Sequence, residues 1–373
     1  MQPFERKKLK YQSKDSPNDT FKEIKLKANQ YFADEHKQKD AKTRLIFKSV
    51  VLFLSLVVSY YFLLNTHSIP KLFLSYTLFG WIFLVIGINL GHDSAHNCVT
   101  GNKKIDNFLF QVIFGLNGLS GYLWQIRHNN SHHIFPNVFE YDTDLDFTEL
   151  ILLNPNQEIK WYHKYQYIYA PFVYMTFSIS WIFYQDFMLM FRKEQANLKM
   201  GKIPAIEIVK LIGVKIIYIC LFLVVPMIYS SISGGWIFLA YILMNCLVSL
   251  FLAFTFFISH HVKETEYAEA NEKSGMVENS WLCHQIISTI DFNPENKFAN
   301  FIFGGFNTHT AHHLFPDISH IHYPALTKII KETLEQHSLN WYQSFTFFEG
   351  VTSHLTHLKD ISSALYEDDI IRI

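Results

Sequence analysis

No two of the four cysteines in this 373-residue chain form a C-x-x-C pair; Cys98, Cys220, Cys246 and Cys283 stand far apart. That argues against a disulfide framework and an iron–sulfur motif, so all four read as reduced packing residues. Charge is scarce as well. Charged residues make up 17% of the chain, against about 25% in soluble globular proteins. The formal net charge is −1, so bulk charge gives no reason to expect a nucleic-acid partner. The stretch 1–44 is polar, rich in Lys and Arg, and has no apolar core of signal-peptide length. It reads as a cytosolic N-terminal arm. Internal repeats and low-complexity segments are also missing.

What the chain has in excess is apolar and aromatic residues, at 49% and 17%, with Phe alone occurring 35 times. They are gathered in blocks, which points to a bilayer. Four segments have the roughly 20 mostly apolar residues that a helix needs to cross: about 45–64, 72–90, 211–230 and 235–258. Lys48 and Lys215 sit near span ends and are expected to snorkel. The short links around Asn65–Lys71 and Ser231–Gly234 make two helical hairpins. Thirteen Lys and Arg lie at or before Lys48, and the links carry only Lys71. The positive-inside rule therefore puts both ends of each hairpin in the cytoplasm. Two more uncharged stretches, 107–126 and 167–184, are read as interfacial helices, because a single crossing by either would separate the histidine clusters described next. The expected fold is an all-α integral membrane protein: four transmembrane helices in two hairpins, with a cytosolic helical cap.

Nineteen histidines carry the functional argument. His92 and His96 follow the second span. His128, His132 and His133 form a second cluster, and His309, His312 and His313 a third. Each cluster holds a pair spaced i, i+4, which a helix brings to one face. His260 and His261 end the fourth span. Neutral imidazole suits iron, zinc, copper and nickel. A zinc site usually needs three or four ligands, and nine clustered imidazoles exceed what one metal takes. The Glu-x-x-His motif of carboxylate-bridged bundles does not occur, so an all-histidine dimetal site is expected. His36, His67, His163, His337, His354 and His357 read as ordinary surface or core residues. His320 and His322 read as surface residues or supports. His284 and His261 stand as possible additional ligands.

The pattern resembles the membrane fatty acid desaturases, whose signature is H-x(3,4)-H, H-x(2,3)-H-H and [HQ]-x(2,3)-H-H around two membrane hairpins. The resemblance covers about residues 45–335, leaving 336–373 as a cytosolic tail. Gly91-His92-Asp93, Asp142 to Asp146, and Gly304-Gly305-Phe306-Asn307 match further. The run from His312 to Pro324 is close to bacterial acyl-CoA desaturases, including the front-end type, although front-end enzymes usually begin the third box with Gln where this chain has His309.

The resemblance implies an oxygen-dependent oxidoreductase that introduces a cis double bond into a fatty acyl chain, carried by CoA or by a lipid. It implies two iron ions, with O2 as co-substrate, held by His92, His96, His128, His132, His133, His260, His309, His312 and His313. His260 is preferred over His261. Asp93 is expected to accept a hydrogen bond from an imidazole N–H. No His-Pro-Gly-Gly haem motif occurs, so a separate ferredoxin or cytochrome b5 with its reductase is expected to supply electrons. The site would lie on the cytosolic side of a bacterial inner membrane or the endoplasmic reticulum, among membrane lipids. A hydroxylase or ketolase on the same scaffold, and more remotely a membrane zinc hydrolase, are the alternatives.

Overall fold

The computed structural model describes residues 4–6, 9–12, 15–146, 148–271 and 275–371. The chain is mostly helical, and four helices are long and apolar enough to cross a membrane. Helix α1 (Asp15–Phe32) precedes α2 (Glu35–Asn65), which Asp34 caps by accepting the amides of His36 and Lys37. Residues Thr66–Ser68 lead into α3 (Ile69–Ala95). Then come α4 (Lys103–Leu116), α5 (Gly121–Arg127), α6 (Gln166–Tyr174) and α7, residues 177–191. The second long pair is α8 (Ala205–Tyr229) and α9 (Gly234–His260). Beyond it lie α10 (Trp281–Ile287), α11 (Lys297–Ile302), α12 (His309–Leu314), α13 (Tyr323–Gln336) and α14 (Phe347–Ile371). Short strands of two or three residues clip distant segments together, such as Asp291–Phe292 beside Ser344–Phe345. These are additions to the all-α expectation.

The four long helices pack through Leu63, Tyr76, Phe79, Phe222, Tyr241 and their neighbours. Helices α3 and α9 approach so closely that a Cβ on Gly80 would stand 2.5 Å from the Met244 side chain and force it to shift. Helices α2 and α8 turn large apolar side chains outward, including Phe47, Phe53, Phe62, Val209, Ile216 and Ile228. In water such a surface would be an aggregation liability, whereas lipid accepts it.

Three expectations are corrected. Lys48 and Lys215 do not snorkel. Both are buried. Lys48 meets Asn89 and the His320 ring, and Lys215 pairs with Asp186 at 2.5 Å and donates to the Gly118 carbonyl. A buried ammonium is tolerated because polar partners replace its water. The stretch 107–126 is also not one helix. It breaks between α4 and α5 at Asn117–Ser120, where Gly118 takes a φ of +75° and Ser120 caps α5 by accepting the Leu123 amide. Residues 167–184 likewise fall into α6 and the first part of α7, and a π-helical turn at Trp181–Gln185 interrupts the second.

Candidate metal centre

The first histidine pair sits where α3 changes geometry. Residues Gly87–Gly91 form a π-helical turn, a form that concentrates at functional sites, and His92–Ala95 resume the α-helix. Inside that turn Asn89 donates to Val85 O and to Ile302 O, tying α3 to the segment before the third cluster. That segment bends through Gly304 (φ +59°) and Gly305 (φ +94°). A Cβ on Gly304 would lie 2.5 Å from the Ile88 carbonyl oxygen. The backbone can settle on α3 there only because no side chain intervenes. Helix α12 follows with His309, His312 and His313, its Thr310 amide donating to the buried Asp291 carboxylate at 2.8 Å.

The second cluster departs from α-helical geometry. Residues His128–His132 form a second π-helical turn, with the His133 amide donating to His128 O at 3.0 Å. A π-turn brings i and i+5 together, so His128 and His133 meet, with their Nε2 atoms 2.9 Å apart. His128 and His132 keep their rings near-parallel, with centroids 5.6 Å apart, and gather with Asp144 as one ligand-capable set, while each also joins a different set of four histidines.

The imidazoles converge as two buried groups of four. His92, His96, His128 and His312 form the first, and His132, His260, His309 and His313 the second. In each, the ligand-capable nitrogens lie within 4.8 Å of one another. His133 stands between them, with ring centroids 4.6 Å from His312 and 4.7 Å from His313. Each group draws on segments more than a hundred residues apart. Three clusters and the end of α9 are all needed to build the pair.

Two features fit metal ions. The Nε2 atoms of His92, His96, His312 and His313 are buried without a hydrogen-bond partner, an arrangement that costs about 1–3 kcal/mol per polar atom unless something else fills it. The Nε2 atoms of His260 and His309 lie 2.7 Å apart, close to the roughly 3 Å between neighbouring nitrogens on one metal at about 2.1 Å. On the far side of several rings the other nitrogen is held. His132 Nδ1 faces Asp142 at 3.2 Å, His260 Nδ1 donates to Ser288 O at 2.9 Å, His313 Nδ1 donates to Gln285 Oε1 at 2.9 Å, and His312 Nδ1 meets Tyr323 OH at 3.1 Å. Such partners fix the tautomer and aim Nε2 at the centre.

The electrostatics agree. Burial, reinforced by neighbouring imidazoles, holds His128, His133, His309, His312 and His313 well below the ordinary histidine range. Burial pulls His96 down to about 4. These rings are neutral at pH 7 with lone pairs available, as metal ligation requires. His132 is the exception. Burial opposes its charge, but Asp142 and Asp144 override it and lift the ring to about 9. A positive charge is favoured at that position, and a metal and a proton compete for it.

Two mainly apolar cavities meet the histidines. One runs from His92 past Phe83 and Phe222 to Gly80 and Met244. The other holds His128, His132, His260 and His309 and opens toward Arg127, Asp144 and Gln185. Trp124, Trp181, Phe256 and Phe306 border both, so the two cavities share a wall beside the imidazoles.

Other expected residues lie elsewhere. Asp93 accepts from the His320 ring at 2.8 Å and from Ser319 at 2.7 Å; its imidazole partner is His320 and not one of the nine expected ligands. His320, far from being a surface residue, is buried between Asp93 and Lys48. The His261 ring faces Tyr267 at 3.1 Å, and His284 Nε2 donates to Pro136 O at 2.8 Å; neither joins a group of four. Gln285, Tyr323 and Asp291 escaped the sequence reading, since nothing in their local sequence sets them apart. Asp142 had a signal, its place among the carboxylates after the second cluster.

A family profile described as "Fatty acid desaturase" matches residues 67–345. The acyl-lipid (8-3)-desaturase of Physcomitrium patens is 27% identical over 365 residues, covering 96% of this chain and 74% of that protein. The sn-1 linoleoyl-lipid 6-desaturases of Arthrospira platensis and Synechocystis are 26% and 25% identical, covering 91% of this chain and 92% and 95% of their own lengths.

Proposed function

The chain belongs to the fatty acid desaturase family, and we propose that it inserts a cis double bond into the acyl chain of a membrane lipid, using two iron ions, O2 and two electrons from a separate carrier. The relatives' names specify lipid-borne acyl chains, which favours a lipid over CoA as the carrier. The observation that carries the reading is the convergence of two four-histidine groups beside two adjoining apolar cavities.

His92, His96, His128, His132, His133, His260, His309, His312 and His313 are the proposed ligands. Bound iron supplies the one-electron and oxygen chemistry that an unactivated methylene C–H bond demands. The protein does the rest by position. Gly80 lies twelve residues before His92 on α3, about 18 Å along the helix. That depth takes on the order of a dozen methylenes at the per-bond rise of an extended chain. Phe306 and Trp124 pack against the ligand rings, with centroids 4.8 Å from His92 and 4.1 Å from His128. They exclude water and press the acyl chain toward the imidazoles. Because methylenes are chemically alike, the shape of the path decides which carbon lies there.

In the membrane, α2 with α3 and α8 with α9 form two crossing hairpins, and α4 to α7 lie at the interface. The histidine-bearing segments lie on the cytosolic side, where a ferredoxin or cytochrome b5 reaches them. The basic arm before α2 supports this orientation. The domain limits follow: arm 1–44, membrane domain 45–335, tail 336–373.

Expression in a host with simple lipids, followed by mass spectrometry of its fatty acids, tests the reading. The wild type produces a new alkene. The His312→Ala variant, present in the membrane at equal level, loses at least about 100-fold of it, as expected when a ligand is removed. A hydroxylated product without a new alkene would overturn the desaturase assignment.

A further inference from the structure

Seven of the nine proposed ligands are only 1–6% exposed, while His96 and His133 are half-buried. A metal site so enclosed needs an entry path. The cavity that runs to Gly80 is a poor one for a hydrated ion, and the one that opens toward Arg127, Asp144 and Gln185 is shared with the acyl chain. A cation stripped of water among Phe83, Phe222 and Met244 would meet a prohibitive desolvation cost, and the path is filled whenever substrate is bound.

A third cavity, open to solvent, reaches the centre from another side. Its inner wall includes His133 and His313, neither of which borders the two acyl cavities. His313 Nε2 and His133 Nδ1 are both buried without hydrogen-bond partners. The outer wall includes Lys25 and Asn29 of α1, Trp281 of α10 and Asp317. Asp317 and Asn29 are exposed oxygen-bearing groups at the rim, and the Lys25 ammonium is turned onto the Phe21 ring at 4.3 Å. The gap is a standing feature: Ile24 and Ala28 fasten α1 into a buried cluster with Leu282, Ile286, Leu326 and Ile330.

We propose that this cavity between α1, α10 and residues 314–318 is the aqueous entrance of the metal centre, through which hydrated ferrous ions load and leave independently of the acyl path. It rests on the metal-centre reading above. Asp317 and Asn29 meet the hydrated ion at the rim, and His313 and His133 receive it inside. The order of donors, oxygen outside and nitrogen inside, lets water be exchanged stepwise for ligands of increasing affinity.

The experiment uses the full-length, iron-loaded protein in detergent. It measures the rate at which iron passes to a sulfonated, membrane-impermeant ferrous chelator, and the rate of ferrous uptake after stripping. Asn29→Trp fills the opening from an exposed position, Lys25→Trp does so from a second one, and Gln30→Trp places the same bulk outside the lining. Both plugging variants should slow loading and release at least about tenfold, with the equilibrium iron content and thermal midpoint unchanged. Gln30→Trp should match the wild type, and bound acyl lipid should leave the rates unaffected. Exchange at the wild-type rate in both plugging variants, or exchange blocked by bound acyl lipid, would overturn the entrance. A protein that takes up no iron would overturn the metal centre itself, and the entrance with it.

Discussion

The two histidine groups are built differently. In the second, three of the four rings have Nδ1 against a polar group, His132 on Asp142, His260 on Ser288 O and His313 on Gln285, while His309 Nδ1 is buried without a partner. Beneath it a further buried carboxylate, Asp291, fixes the start of α12 through the Thr310 amide. Among the described residues the first group has one such prop, Tyr323 on His312, and otherwise rests on aromatic packing, with Trp124 stacked on His128. The second group is thus oriented by hydrogen bonds and biased by negative charge, and the first is shaped by contact. A carboxylate partner raises ligand basicity, while an aromatic one only restrains the ring. The second group should therefore hold its ion more tightly.

The sharpest way to break that comparison is to remove its charge. Asp142→Asn keeps the size of the side chain but loses the anion facing His132. Iron affinity at the second group should fall toward 100-fold, the upper range for such partners. Titration in chelator-buffered ferrous solution should then show one weakened ion of two, and two unchanged affinities would sink the asymmetry. A smaller effect is expected at the first group. Tyr323→Phe deletes one neutral hydrogen bond, about 1 kcal/mol, so affinity and desaturation should drop by only about fivefold. A loss as large as that of Asp142→Asn would mean that the two groups are oriented alike.

The smallest effect concerns Asp291 and reads out in stability. Burial raises its carboxyl to about 6, against the opposing hydrogen bonds from Thr310, Tyr342 and Thr327. The folded state therefore binds this proton more tightly than the unfolded chain does. Its stabilising contribution is complete below the ordinary carboxylate pKa near 4 and is lost as pH rises through about 6. Asp291→Asn should flatten the change in thermal midpoint between pH 4.5 and 6.5 by a few degrees while leaving iron content intact. A slope equal to that of the wild type would show that Asp291 does not titrate in this range.

The four membrane-length helices were legible because about twenty uninterrupted apolar residues have few other uses. The box histidines were legible because their clustering is improbable by chance. Lys48 and Lys215 were misread because hydropathy sees their charge but not the partners, Asn89, His320 and Asp186, that arrive from elsewhere in the chain. His320 was undervalued for the same reason, since Asp93 lies 227 positions away. The sequence by itself determined which side chains are available for metal and where apolar helices must lie, since both follow from residue chemistry and local spacing. Only the tertiary structure decided how the imidazoles divide. An α-turn pairs i with i+4 and keeps His128 beside His132, and the π-turn adds the i, i+5 pair of His128 with His133. The π-turn at 128–132 lets His128 and His132 serve different sets of four while they share a third with Asp144, and the Gly304–Gly305 bend brings α12 within reach of both sets of four. Such departures are set by packing against distant segments, which local sequence does not encode.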